Sequence, residues 1–282
     1  MWGSSFLLVK LIIDVFNPVG IAFWRSTAGA LVLLAICYLR RESLPKRPQH
    51  LAHLFVISIL FGIAPTIFVT LGANGISSSV GGVLSATIPT ATAIATFTVF
   101  PSQRATANQL LGIVLGFLGI VLISEIFLGP GENKLSSVGL VLLATFCYGF
   151  GLPYSKRFVV PLGYSGTALA AAQVTLAAVA LLPIAIFTGS TRATLTWDSI
   201  IFLTILGVFG SGFAFVWNLQ VLDRAGSTIA SSVTYITPLV SAFLGYVVLR
   251  ETLDWIQLVG VVIVIVSSAV VHERIRIIRQ EP

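Results

Sequence analysis

Arg25 is the side chain with the most to offer chemically. It lies about seven residues inside an apolar run that opens at Pro18, roughly 10 Å deep at the rise of an α-helix. A guanidinium at that depth needs an anion, a watery cavity or a route back to the interface. Two readings stand side by side: pairing with a substrate carboxylate, or a structural anchor that snorkels outward or binds carbonyls at a helix end. Lys10 poses the same question. Its alignment with Lys156, beside a basic loop, points to an end-of-helix anchor.

Two prolines sit in the middle of apolar runs, Pro89 and Pro238. Each removes one helical hydrogen bond and is expected to free a carbonyl that a polar substrate could use. Ser85 and Thr234 lie four residues before these prolines and share their helix faces, with Tyr235 on the same side. A kink needed only for packing is the competing reading. Trp24, Tyr148, Tyr154 and Trp217 could stack on an aromatic or cationic cargo; Trp217, six residues from Asp223, reads equally well as an interfacial residue. Asn74 and Asn218 close their runs at opposite membrane sides, either as helix caps or as gates.

Other chemistry is missing. Asp14, Glu125, Asp198, Asp223, Glu251 and Asp254 all fall at run ends or in loops, so a proton relay through a buried carboxylate lacks its residue. No Gly-x-x-x-x-Gly-Lys-Ser/Thr loop and no Gly-x-Ser-x-Gly elbow occurs, and no run contains a histidine beyond its first turn. ATP hydrolysis by that loop is excluded, and an intramembrane enzyme lacks its nucleophile and base. His50 and His53, three apart with no acidic partner, make no metal site. Cys37 and Cys147 lie in apolar runs and read as small hydrophobes. No metal or cofactor is expected.

The elements that must position these residues follow from composition. With 56% hydrophobic and 9% charged residues among 282, the chain cannot cover a water-facing surface. Its mean hydropathy of +1.00 belongs to a membrane protein. Spans of about 20 apolar residues are needed, and ten runs can be drawn: 2–13, 18–39, 51–73, 79–100, 110–128, 138–154, 167–187, 200–221, 229–249 and 255–271. The first is short for a span and shows neither the basic leader nor the cleavage site of a signal peptide. The net charge of +6 does not imply nucleic acid, because the basic residues sit in loops. With the amino terminus inside, Arg40, Arg41, Lys46, Arg47, Arg104, Lys156, Arg157, Arg224, Arg274, Arg276 and Arg279 face the cytoplasm, and only Lys134, Arg192 and Arg250 face outward. The positive-inside rule therefore expects both termini in the cytoplasm.

The sequence also repeats. An offset of 149 carries Ser79, Ser85, Pro89 and Ala93 onto Thr228, Thr234, Pro238 and Ala242. An offset of 146 carries Trp2-Gly3 and Lys10 onto Tyr148-Gly149 and Lys156. Residues 1–130 and 131–282 thus read as two five-helix repeats. Five is odd, so the second must be inverted, a build recurrent in secondary transporters with a midplane site between the halves. Gly112 and Gly116 suit close helix packing, within the bundle or between subunits.

Trp2-Gly3-Ser4-Ser5-Phe6 with Lys10, the Phe23-Trp24-Arg25 step, the two proline helices, and Arg250-Glu251-Thr252-Leu253 followed by Gln257-x-x-Gly260 together resemble the EamA-type family of the drug/metabolite transporter superfamily. Pro101-Ser102-Gln103 departs from the Gly/Arg-Glu turn usual in the first repeat, which puts that loop's pairing in doubt. The resemblance implies a ten-helix inner-membrane exporter of amino acids or related metabolites, aromatic ones included, that works by alternating access as a monomer or homodimer among membrane lipid. A multidrug or cation exporter is the alternative in the same superfamily; a non-transporting receptor or assembly subunit is the alternative outside it. The substrate-binding set expected is Trp24, Arg25, Ser85, Pro89, Tyr148, Tyr154, Trp217, Thr234, Tyr235 and Pro238, with Asn74 and Asn218 as gates.

Overall fold

The computed structural model describes residues 1–99, 106–123, 134–251 and 254–271. Among them the regular elements are all helical, apart from an isolated antiparallel bridge between Phe16 and Thr191. Helix satisfies each backbone N–H and C=O within its own segment, which hydrocarbon surroundings require. The apolar helices are α1 (Trp2–Ile12), α2 (Pro18–Leu39), α3 (Pro48–Ala73), α4 (Ser78–Thr96), α5 (Ala107–Ile123), α6 (Leu135–Leu162), α7 (Gly166–Thr188), α8 (Trp197–Ser227), α9 (Thr237–Leu249) and α10 (Trp255–Val271). Six of them, α2, α3, α4, α6, α7 and α8, are long and apolar enough to cross a membrane. Leu31, Phe117, Ile186, Phe187 and Phe243 stand exposed on the bundle's outside, a surface suited to lipid rather than water. The chain is an integral, multi-pass membrane protein.

Helix starts are set by side chains that receive otherwise unpaired amides. Asn17 accepts from the Gly20 amide with Pro18 in the first turn, Ser165 accepts from Ala168, and Thr196 forms a reciprocal capping box with Ser199.

The packing is reciprocal between the two halves. Helix α1 packs on α8 and α9, while α6 packs on α3 and α4; α2 meets α8, and α7 meets α3. Helices α2 and α7 pair with each other, as do α5 and α10. The last pair is where the glycine motif falls: Gly112 and Gly116 face Ser267 of α10, and a Cβ at Gly112 would come 2.9 Å from the Ser267 carbonyl oxygen. That close approach lies within the chain.

Irregular turns repeat as well. A π-helical stretch, Ser58–Ile63, interrupts α3, and another, Leu206–Phe213, interrupts α8. Adding 149 carries 58–63 to 207–212, inside the second stretch. A 3₁₀ turn at Ser85–Thr87 in α4 maps by the same offset onto 234–236, within the turn Val233–Ile236 that leads into α9.

These turns change how the prolines act. Pro89 is the second residue of the α-helical stretch Ile88–Val99, and Pro238 the second of Thr237–Leu244. Proline in a first turn removes no bond the helix would have made. The carbonyl expected to be free at Ser85 accepts the Ile88 amide. A 3₁₀ turn precedes each proline, and at Pro89 it takes up the carbonyl expected to be free.

Candidate substrate cavity

The site is built where α2 crosses α8. A Cβ at Gly207 would lie 2.7 Å from the Arg25 carbonyl oxygen, and one at Gly29 3.0 Å from the Gly207 carbonyl oxygen, so only glycine permits this approach. The π stretch of α8 there turns backbone oxygen away from regular helical pairing. The Gly210 carbonyl accepts the Trp2 indole Nε1–H at 3.2 Å and the Arg25 Nη2 at 3.5 Å. Arg25 Nε donates to Ser211 Oγ at 2.7 Å, and Nη1 to Thr66 Oγ1 at 3.2 Å, just past the π stretch of α3. Arg25 is 6% exposed and points into the bundle; it does not snorkel.

Beside it is a narrow cavity of about 50 Å³, lined from both halves of the chain. Helix α1 contributes Trp2, Ser5, Phe6 and Val9, one face at helical spacing. Thr66, Ser85, Thr145, Thr234, Thr237 and Asn218 supply hydroxyls and an amide, and Phe61 and Tyr148 supply rings. Tyr148 stacks on Trp2 with centroids 6.3 Å apart, Phe61 lies 5.5 Å from Tyr148, and Phe215 joins Phe61 at 5.8 Å.

Of the residues expected from sequence, Arg25, Ser85, Tyr148, Thr234 and Asn218 line this cavity. Trp217 is 53% exposed and lines an adjoining one with Trp2, Asn218 and Thr237. Trp24 sits edge-on to Phe23, half-exposed and away from the cavity. Tyr154 meets His53 Nδ1 at 2.8 Å near the far end of α6. Pro89 and Pro238 are buried outside the lining, and Asn74 is exposed at the end of α3. The side chain of Tyr235 lies outside the described residues. Sequence reasoning missed Ser5, Phe6, Phe61, Thr66, Thr145 and Thr237. Trp2 was within reach, because the 146-residue offset already pairs it with Tyr148, and the fold stacks those two rings.

A second cluster lies beyond the Val9 end of the cavity. Lys10 Nζ reaches Glu251 Oε1 at 3.0 Å and the Ile76 carbonyl at 3.1 Å. Glu251 also accepts the amides of Ser78 and Ser79 at 2.8 and 3.0 Å, and their hydroxyls at 2.7 and 3.0 Å. Burial pushes the Glu251 carboxyl up, but hydrogen bonds from Ser78, Lys10 and Ser79 outweigh it and hold the carboxyl down to about 2. Gly245 makes room: a Cβ there would lie 2.6 Å from Glu251 Oε2. At the opposite end, Lys156 Nζ donates to the Asp223 carbonyl at 2.9 Å.

A helical membrane bundle closing around a mainly apolar cavity with a few polar groups in its wall is the build of a small-molecule carrier. The EamA-like transporter family pattern matches residues 1–125 and 135–272, so this chain belongs to the EamA-like transporter family. An uncharacterized inner membrane transporter of Escherichia coli, YedA, is 25% identical over 93% of this chain and 85% of its own length. Protein PecM of Dickeya dadantii is 23% identical over 97% of this chain and 89% of its own. A WAT1-related chloroplastic protein of Arabidopsis thaliana is 22% identical over 96% of this chain and 66% of its own. One crystal structure, 16% identical, shares the fold with a TM-score of 0.68, covering 98% of this chain and 95% of that one. The Escherichia coli relative is named a transporter, and this chain is a transporter of the matched family.

Proposed function

We propose that this transporter exports small organic metabolites, amino acids first among them and aromatic ones included, by alternating access. The observation that carries this reading is a cavity bounded by both halves of the chain, with a buried arginine and a ring cluster in its wall. All ten apolar helices act as spans, in inverted repeats of residues 1–130 and 131–282. Reciprocal packing between the halves and irregular turns repeated at one offset support that arrangement. Such paired units can rock about a fixed site. Both termini are cytoplasmic, by loop charge, in the cytoplasmic membrane, as the name of the Escherichia coli relative suggests for that protein.

Counterflow in proteoliposomes tests this directly. Vesicles preloaded with an amino acid should take up its labelled form faster than empty vesicles or vesicles lacking protein. A panel of amino acids and related metabolites that all fail to exchange would discard the reading and favour a receptor or assembly subunit.

A further inference from the structure

Arg25 is the single charged side chain among the described residues that line the cavity, and no acidic side chain lines it with them. Its three hydrogen-bond partners, Ser211, Thr66 and Gly210, are all neutral oxygens. A guanidinium carries five N–H donors, so two remain for a ligand. The hydroxyls and the π-stretch carbonyl fix the fork in place without cancelling its charge. A buried charge with no counter-ion is costly, and a carboxylate is the ligand whose shape and charge complete it.

The rest of the wall argues about the remainder of the ligand. Trp2, Phe61 and Tyr148 offer an apolar ring surface. An ammonium group entering this cavity would meet hydroxyls, one amide, ring faces and a nearby positive charge, with no acid among the described lining residues to replace its water.

We propose that the cavity recognises cargo by a single carboxylate on Arg25 and an apolar body on the rings, and that it does not require an amine. Small apolar monocarboxylates, including 2-oxo acids, bind at least as tightly as amino acids of the same body, and organic cations are excluded. This rests on the transport reading only for where the cavity lies; the charge rule itself concerns binding.

The test is therefore a binding measurement that needs no flux. Purified protein in nanodiscs is titrated with phenylpyruvate, phenylalanine, phenylalanine amide and phenethylamine, and with the matching leucine-derived set, following tryptophan fluorescence and thermal stability. In at least one set, the oxo acid is expected to bind as tightly as the amino acid or tighter, and both at least tenfold tighter than the amide and the amine. Arg25→Gln should lose that preference more than tenfold, and Arg25→Lys should keep part of it. Thr66→Val leaves the charge in place but loosens the fork, and should weaken acids several-fold without admitting amines. Amines binding as well as acids, no acid binding in either set, an oxo acid at least tenfold weaker than its amino acid, or an unchanged preference in a folded Arg25→Gln protein would each overturn the proposal. If acids bind as expected but none exchanges in counterflow, the transport reading falls and the charge rule stands.

Discussion

The two ends of the bundle carry lysines that occupy matching places in the two halves, yet they are held by different chemistry. Lys10 meets a carboxylate that is itself bound by two amides and two hydroxyls. Lys156 meets one backbone carbonyl. The sequence accounts for part of the difference, because the position 149 residues before Glu251 is Ser102, which carries no charge. A carrier with inverted repeats exchanges the roles of its two ends during transport. Unequal fastening biases that exchange, and about 1.4 kcal/mol of difference is a tenfold shift in population. The lesson is that a repeated fold can be fastened unequally at its two ends when one charged residue is absent from one copy. On the proposed orientation, with the amino terminus inside, the stronger fastening lies at the outer end.

The largest effect should come from Glu251→Ala. It leaves Lys10 without its ion pair and strips the acceptor from the Ser78 and Ser79 amides, at a cost of roughly 3 kcal/mol. Chemical denaturation in mild detergent should show the loss, and amide hydrogen exchange at Ser78 and Ser79 should accelerate. Unaltered exchange there would mean that the contact does not fasten this end. Gly245→Ala pushes a methyl group into the same cluster and should produce a smaller loss with the same exchange signature.

Lys156→Met removes one partly solvated bond to a carbonyl and should cost about 1 kcal/mol or less. Equal destabilisation by Lys156→Met and Glu251→Ala would erase the contrast between the ends.

The smallest effect is that of pH. The Glu251 carboxyl is lowered from an ordinary 4.5 to about 2, so its contribution is complete above about 4.5 and disappears as pH falls through about 2. Between pH 5 and 8 the stability difference between the native protein and Glu251→Gln should stay flat. A difference that changes across that window would show that another proton is bound to the state of this cluster.

Much of the architecture was legible because hydropathy is a local property. The run from Pro18 to Leu39 coincides with α2, and the run from Trp255 to Val271 coincides with α10. Arg25 could be singled out in advance because a charge inside an apolar run is conspicuous wherever the chain folds. The prolines were conspicuous too, but at Pro89 the expected free carbonyl failed to appear because a preceding 3₁₀ turn moved the hydrogen bond by one residue. Lys10 and Glu251 were each visible, one in an apolar run and one in a turn, but nothing local joins residues 241 apart.

The sequence alone determined that the chain lives in a membrane, that it repeats itself and that one deep arginine lacks a neighbouring acid. Those properties depend on composition and spacing along one helix. Only the tertiary structure decided that Arg25 points inward onto Ser211 and Thr66, that Trp2 stacks on Tyr148, and that Glu251 closes over Lys10. Each of those contacts joins different helices, and close backbone approach at Gly29 and Gly207 beside Arg25, and at Gly245 beside Glu251, makes room for two of them.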